Sequence, residues 1–223
     1  MKVPHPPPTV NRMRLIAGVA VLIGAAWAFG GIAEDVVEGD PITIVDLALA
    51  HWFHVHGTAA LTSVMLAISS LHGTAAVTSA VALTAAILAC RRNWYGLVTL
   101  GLVVPLGMLM NVLMKHAFRR DRPIFDDPLL TLSTYSFPSG HVAGAALFYG
   151  WVVAMLWPRL RTWRGQAAAI ACALFMISLV ALSRVYLGVH FLSDVLAAFA
   201  EALAWLALCL TAVDFQWRRR GYV

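Results

Sequence analysis

Lys115 and Arg122, with six residues between them and Pro123 directly after Arg122, set two fixed cations close together beside a long apolar run. An arginine can grip a phosphate with two parallel hydrogen bonds, and a lysine adds a point charge. If the helix carrying Lys115 continues, Arg122 lies two turns on and points the same way. Taken alone, the pair also fits cationic side chains reaching from a membrane toward head groups. Pro138-Ser139-Gly140-His141 comes next. Ser139 suits a helix cap, Gly140 lets the backbone approach a ligand, and a helix start offers free N–H groups to an anion. His141 would stand in the first turn, able to donate a proton. The third cluster is Ser183-Arg184, five residues, His190, three residues, Asp194. Four apart on a helix, His190 and Asp194 share a face. A carboxylate there fixes the imidazole tautomer and supports the cation formed when the ring attacks.

The elements that must position these groups are apolar. Of 223 residues, 61% are hydrophobic and 12% charged, against about 25% charged in soluble domains. That composition excludes a water-soluble globule and places the chain in a membrane. The net charge of +5 does not point to nucleic acid, because the basic residues sit in short clusters between apolar runs, where they set topology or meet anionic head groups. Cys90, Cys172 and Cys209 follow no metal-binding or disulfide pattern and read as small apolar residues.

Apolar runs at 13–33, 74–90, 94–115, 141–157, 166–183 and 191–213 come near the ~20 residues that cross ~30 Å of hydrocarbon. The fold class is therefore an all-α, polytopic membrane bundle with six transmembrane helices. Residues 41–71 add one or two interfacial helices in the first extracytoplasmic loop. Pro41 can open the first of them, and 58–71 is too short to span and reads as interfacial or re-entrant. The first run is too long for the apolar core of a signal peptide and reads as an uncleaved span. The domain organisation is a disordered cytoplasmic tail at 1–11, one integral membrane domain at 12–217, and a basic cytoplasmic tail at 218–223.

Charge sets the direction. With six spans and both termini cytoplasmic, Lys2, Arg12 and Arg14, then Arg91 and Arg92, then Arg159, Arg161 and Arg164, and finally Arg218 to Arg220 all fall inside. Glu34, Asp35, Glu38, Asp40 and Asp46 crowd the first outer loop. The segment 115–123 must then lie outside, against the usual preference for its cations, and binding an anionic substrate supplies a reason.

In this order over 115–194, Lys-x6-Arg-Pro, Pro-Ser-Gly-His and Ser-Arg-x5-His-x3-Asp resemble the tripartite signature of the type 2 phosphatidic acid phosphatase superfamily. No signature position departs from it. The six-span layout is similar to the membrane branch, which includes undecaprenyl-diphosphate phosphatases and phosphatidylglycerophosphatase B-like proteins. The resemblance implies hydrolysis of a lipid phosphate or diphosphate ester at the extracytoplasmic face, in a bacterial inner membrane. It makes His190 the nucleophile that forms a phosphohistidine, Asp194 its orienting partner, and His141 the general acid. Lys115, Arg122 and Arg184 would hold phosphate oxygens, aided by Ser139 and the Gly140 N–H. Phosphoryl transfer rests on in-line positioning and on stabilising charge at the equatorial oxygens. Three cations and a helix terminus supply that without a metal, so no metal and no cofactor are expected. The expected partners are a lipid phosphate and membrane lipids. Two alternatives use the same cations: a lipid phosphotransferase, and a non-catalytic lipid-phosphate binding or transport protein, whose usual inverted repeats are not visible.

Other polar residues receive plainer readings. His51, His54 and His56 lack an acidic or Cys companion and read as interfacial. Arg119 and Arg120 lie outside the signature, where they can attract anionic head groups. Glu201 follows His190 by eleven residues, about 16 Å deeper along one helix face, and is expected to hydrogen-bond inside the bundle to a partner the sequence does not name, with a role in substrate or proton handling as the alternative. Trp27, Trp94, Tyr95, Trp157, Trp163 and Trp217 read as interface anchors.

Overall fold

The computed structural model describes residues 12–219, without the side chains of Arg218 and Arg219. The tail expected at 1–11, and residues 220–223 of the one expected at 218–223, lie outside the described residues. Among those described there are eight α-helices and no strand. They are α1 (Arg12–Glu38), α2 (Pro41–His56), α3 (Ala59–Leu71), α4 (Thr74–Cys90), α5 (Trp94–Phe118), α6 (Gly140–Leu156), α7 (Trp163–Tyr186) and α8 (Leu192–Arg219), with a 3-10 turn at Trp157–Arg159.

Local chemistry starts and stops these helices. The Asn93 side chain accepts the Gly96 N–H at 3.0 Å to open α5, and Thr162 accepts Gly165 N–H at 3.2 Å to open α7. Pro41 occupies the first turn of α2. At the other end of α5, Arg119 takes the left-handed conformation (φ 49°) and its N–H bonds the Lys115 carbonyl at 3.0 Å, which closes the helix.

Five helices are long and apolar enough to cross a membrane: α1, α5, α6 with its 3-10 extension, α7 and α8. The 17 residues of α4 reach only about 25 Å. α4 follows α3 after a two-residue break at His72-Gly73, with a bend of 41° between them. Counted as one bent crossing, the pair brings the spans to six. Outward-facing side chains agree with a lipid setting. Only Ala25 and Ala33 of α1 are buried, while Trp27 is 82% exposed along with Ile16 and Ile23. The protein is an integral membrane protein with the expected all-α architecture.

α6 sits at the centre, packed by α4, α5, α7 and α8. Its residues Val142 to Leu147 are buried with Trp151, and they share a core with Leu100, Val103, Val180 and Ala198. In lipid there is little hydrophobic drive between helices, so close backbone approach matters more. Gly107 allows it on α5, where a Cβ would come within 2.7 Å of Leu147 and 2.8 Å of Trp205. The outcome for function is geometric. The end of α5, the start of α6, the end of α7 and the start of α8 all meet at one end of the bundle, and α2 and α3 pack there against α7.

Candidate active site

His190 lies in the short turn between α7 and α8, after Gly188 has taken a positive φ of 66° that glycine adopts without strain. The expectation placed His190 and Asp194 together on a helix; instead the ring precedes α8 and pairs across its first turn. Its Nδ1 stands 3.3 Å from Asp194 Oδ2, and both side chains are buried. Asp194 reaches back to accept the Phe191 N–H at 2.9 Å, as the acid of a capping box does. The Ser136 hydroxyl also donates to Asp194 Oδ2, and Arg120 Nη1 donates to Oδ1 at 2.6 Å. With Nδ1 turned toward the carboxylate, the lone pair lies on Nε2, away from Asp194. Burial lowers the His190 pKa to about 4, with Arg122 and Lys115 reinforcing the effect and Asp194 opposing it. The ring is therefore neutral at pH 7.

Arg122 faces that nitrogen, its Nη1 3.3 Å from His190 Nε2. It does not arrive there on an extended α5. The helix has already ended at Phe118, and an irregular loop carries Arg122 back. Carbonyls hold it: Nε donates to Thr134 O at 2.7 Å, Nη2 to Tyr135 O at 3.0 Å, and Nη1 to Val189 O at 2.5 Å. Burial lowers the Arg122 pKa and Asp194 raises it. Lys115, on the last turn of α5, donates to Tyr135 O at 2.9 Å and Ser136 O at 3.2 Å.

The remaining signature residues close around the same spot. Ser139 is fully buried, and its N–H bonds the Asp194 carbonyl at 3.0 Å. It stands at the cap position of α6, but its hydroxyl makes no cap bond and has no hydrogen-bond partner among the described residues. A Cβ on Gly140 would lie 3.8 Å from Lys115 Cε. His141 is partly buried and lies within electrostatic range of Arg184, His190, His72 and Arg122. Arg184 is 2% exposed; its Nη1 donates to the Ser69 hydroxyl, and its Nε has no partner among the described residues. All eight residues singled out by sequence thus gather at one end of the bundle.

The structure adds several groups that the sequence reading missed. Ser136 was silent, because its link to Asp194 depends on the chain returning to α5, where Ser136 N–H bonds the Arg120 carbonyl at 2.8 Å. Arg120 does not serve head groups but is tied to Asp194 and Asp46. Asp46 is not one of a solvated acidic crowd, being 1% exposed. Ser69 comes from α3, beside His72, whose Nε2 is 2.8 Å from the Tyr149 hydroxyl. His54 is paired with Asp127 at 2.9 Å and stacked on Phe125. Glu201 finds its partner in Asn111, whose Nδ2 donates at 2.8 Å.

A cleft of about 280 Å³ beside Arg122, bordered by Arg120, Pro123, Thr134 and Tyr135, opens at this end. A larger hollow of about 810 Å³ lies at the opposite end, near Arg14, Tyr95 and Trp157, and holds none of these groups. Size does not locate the chemistry here; converging charge does.

The helical membrane fold and the gathering of these residues at one of its ends are of a recognised kind. A family model of the PAP2 superfamily matches residues 96–218, more than half of the chain, and the chain belongs to that superfamily. It is 39% identical over 126 residues to phosphatidylglycerophosphatase B of Bacillus subtilis (strain 168), and 36% identical over 132 residues to lipid A 1-phosphatase of Rhizobium johnstonii. Each match takes in 55% of this chain, and it spans 60% and 49% of those relatives' own lengths. A crystal structure of a transmembrane PAP2-type phosphatidylglycerolphosphate phosphatase from Bacillus subtilis is similar throughout, with a TM-score of 0.71 and 29% identity. That match covers 86% of this chain and 94% of the other.

Proposed function

We propose that this chain hydrolyses the phosphate ester of a membrane lipid at the extracytoplasmic face, through a phosphohistidine on His190. One observation carries the reading: Nε2 of a buried, neutral imidazole faces Arg122 while Asp194 holds the other side of the ring. Lys115, Arg122 and Arg184 with the α6 N-terminus suit the charge on the equatorial oxygens. The unpaired Ser139 hydroxyl and Arg184 Nε are buried polar groups that a phosphoryl group would satisfy.

His190 Nε2 attacks phosphorus and the bond to the lipid oxygen breaks. His141 gives that oxygen its proton, so a neutral lipid alcohol leaves. The ring now carries positive charge, which Asp194 opposes across Nδ1. His141, deprotonated by the first step, takes a proton from water, and the resulting hydroxide attacks phosphorus. Inorganic phosphate departs and His190 regains its lone pair. Covalent catalysis divides one difficult displacement into two easier ones.

Two observations support the lipid and the address. The site lies at the ends of spanning helices, so acyl or prenyl chains can stay in hydrocarbon while the head group meets the cations. The basic clusters at Arg91, Arg92, Arg159 and Arg161 lie at the opposite ends of those helices, which suits a cytoplasmic position for them and an outer position for the site. The relatives' names, phosphatidylglycerophosphatase B and lipid A 1-phosphatase, support a lipid phosphate as the substrate. Phosphate release by the purified protein from a panel of lipid mono- and diphosphates tests this. A turnover that His190→Asn abolishes is expected, and undiminished release by that variant would remove the nucleophile.

A further inference from the structure

Arg120 sits in the gap between Lys115 and Arg122, where the three motifs assign it nothing, yet among the described residues it is the cation paired with two buried carboxylates. Its guanidinium bridges two carboxylates whose side chains have no exposure, Nη1 to Asp194 Oδ1 at 2.6 Å and Nη2 to Asp46 Oδ2 at 2.8 Å. Nη1 also donates to Ser193 Oγ at 2.7 Å, and the group lies over the Phe191 ring, 4.3 Å from its centroid. Asp46 comes from α2, far away in sequence. It accepts the Ser193 N–H at 2.9 Å and the Ser193 hydroxyl, and so grips the first turn of α8, which carries Asp194.

The two oxygens of Asp194 divide the work. Oδ2 takes the Phe191 N–H, the Ser136 hydroxyl and His190 Nδ1, while Oδ1 takes Arg120. A carboxylate held on both oxygens cannot rotate away from the imidazole, and the guanidinium keeps it ionised. Asp46 in turn balances Arg120, so the pair adds no net charge to a pocket already holding Lys115, Arg122 and Arg184. A buried charge bridged on both sides loses heavily when one side is removed.

We propose that Arg120 is a positioning residue for the phosphate chemistry, clamped by Asp46 from the first-loop helix, and that it acts through Asp194 on His190. The inference rests on the reading of His190 as nucleophile. It assigns a role to α2, whose docking through Asp46 makes the first loop part of the catalytic support.

The groups facing His190 are Asp194 from α8, Arg122 from the loop, Lys115 from α5 and His141 from α6. Of these, only Asp194 favours the imidazolium by charge. Arg120 offsets part of that carboxylate charge. Without Arg120, the imidazolium gains stability and the acid limb of activity moves to higher pH.

The test uses the full chain, purified, with phosphate release from a lipid monophosphate and vanadate binding as the readouts. Arg120→Met is expected to lower kcat about 10- to 100-fold, the usual cost of losing a group that orients a reacting side chain. KM should stay within about threefold, and the acid limb of kcat/KM should rise by about one pH unit. Arg120→Lys keeps the charge without the fork and is expected to restore the limb but only part of kcat. Asp46→Asn leaves Arg120 charged, so it should lower kcat more weakly than Arg120→Met and should not raise the acid limb. The double variant Asp46→Asn/Arg120→Met should be no worse than Arg120→Met, because both act through one carboxylate. Vanadate binding near the parent's strength marks a folded phosphate pocket; if Arg120→Met loses it, Asp46→Asn and Arg120→Lys decide. A full kcat with an unmoved acid limb, or a loss confined to KM, overturns the proposal. His190→Asn is measured alongside: if it stays active the mechanism itself fails, whatever Arg120 does.

Discussion

His190 Nε2 stands 3.3 Å from Arg122 Nη1, on the side of the ring away from Asp194. An imidazole in that position has a carboxylate behind it and a cation in front. A phosphoryl group entering between ring and guanidinium would meet a lone pair and a hydrogen-bond donor together. Both partners are already oriented, Arg122 by three carbonyls and His190 by the turn at Gly188. Once Arg122 exchanges its contact with Nε2 for a phosphoryl oxygen, little rearrangement remains for the moment of reaction.

The first consequence is a pH profile. Because burial lowers the His190 pKa to about 4, the ring loses its proton well below the ordinary value of about 6.5. The attacking neutral form is then nearly complete from about pH 5 upward. kcat/KM reports ionisations of the free enzyme and substrate. Corrected for the substrate's own phosphate ionisation, its acid limb is expected to lie below about pH 5 instead of near 6.5. An acid limb near 6.5 in the parent would mean that the ring is not held neutral by its surroundings.

Arg122→Lys tests whether geometry or mere charge matters in front of the ring. The guanidinium spends Nε and both Nη atoms on Thr134, Tyr135 and Val189 while still facing His190. A single ammonium cannot make those contacts at once. We expect kcat/KM to fall roughly 10²- to 10³-fold, the range for losing one preorganised donor at a developing charge. Arg119→Ala serves as the reference, since Arg119 is exposed and its side chain bonds, among the described residues, only the nearby His116 carbonyl. Its activity should stay close to the parent's.

Residue type and spacing made the motif residues legible, because a signature of cations, a Gly-containing helix start and a His–Asp pair has few other uses in a membrane. The all-α membrane bundle was legible from its apolar runs, of which the structure makes five spans, or six with α3 and α4 as one bent crossing, and the short stretch at 58–71 stood out by length alone. What stayed hidden depended on chain reversals. The left-handed turn at Arg119 stops α5, so helical counting from Lys115 gave Arg122 a direction it does not take. The same reversal brings Arg120 and Ser136 against Asp194. Asp46 lay among other acids in a loop, and nothing in its neighbourhood marked it as the one turned inward to Ser193.

Glu201 offers a test of buried polar pairing at membrane depth. Asn111 Nδ2 donates to Glu201 Oε2 at 2.8 Å, and Asn111 is 1% exposed. Glu201→Gln keeps an acceptor and should leave thermal stability in detergent close to the parent's. Glu201→Leu strands the Asn111 amide and is expected to cost about 1–3 kcal/mol. Replacing both Asn111 and Glu201 with Leu removes donor and acceptor together, so that variant should be more stable than Glu201→Leu alone. The reverse order would mean that the pair contributes nothing by its hydrogen bond.

Packing between spans gives the last prediction, through two glycines that differ in what surrounds them. A Cβ at Gly107 would press on Leu147 at 2.7 Å and on the Trp205 ring at 2.8 Å, from α6 and α8 together. The Trp205 indole is held by its bond to the Leu102 carbonyl at 3.0 Å, so it cannot swing aside freely. At Gly150 the close approach, 2.6 Å, involves one methyl of Leu206, whose other side-chain carbons are near 3.8 and 3.9 Å. A leucine end can change rotamer where an anchored indole cannot. Gly107→Ala is therefore expected to destabilise the bundle by about 1–3 kcal/mol, the typical cost of overpacking, and Gly150→Ala by clearly less. Melting temperatures of the two variants in one detergent check the order. Equal losses would show that α5 and α8 yield to a methyl group as readily as a leucine side chain does.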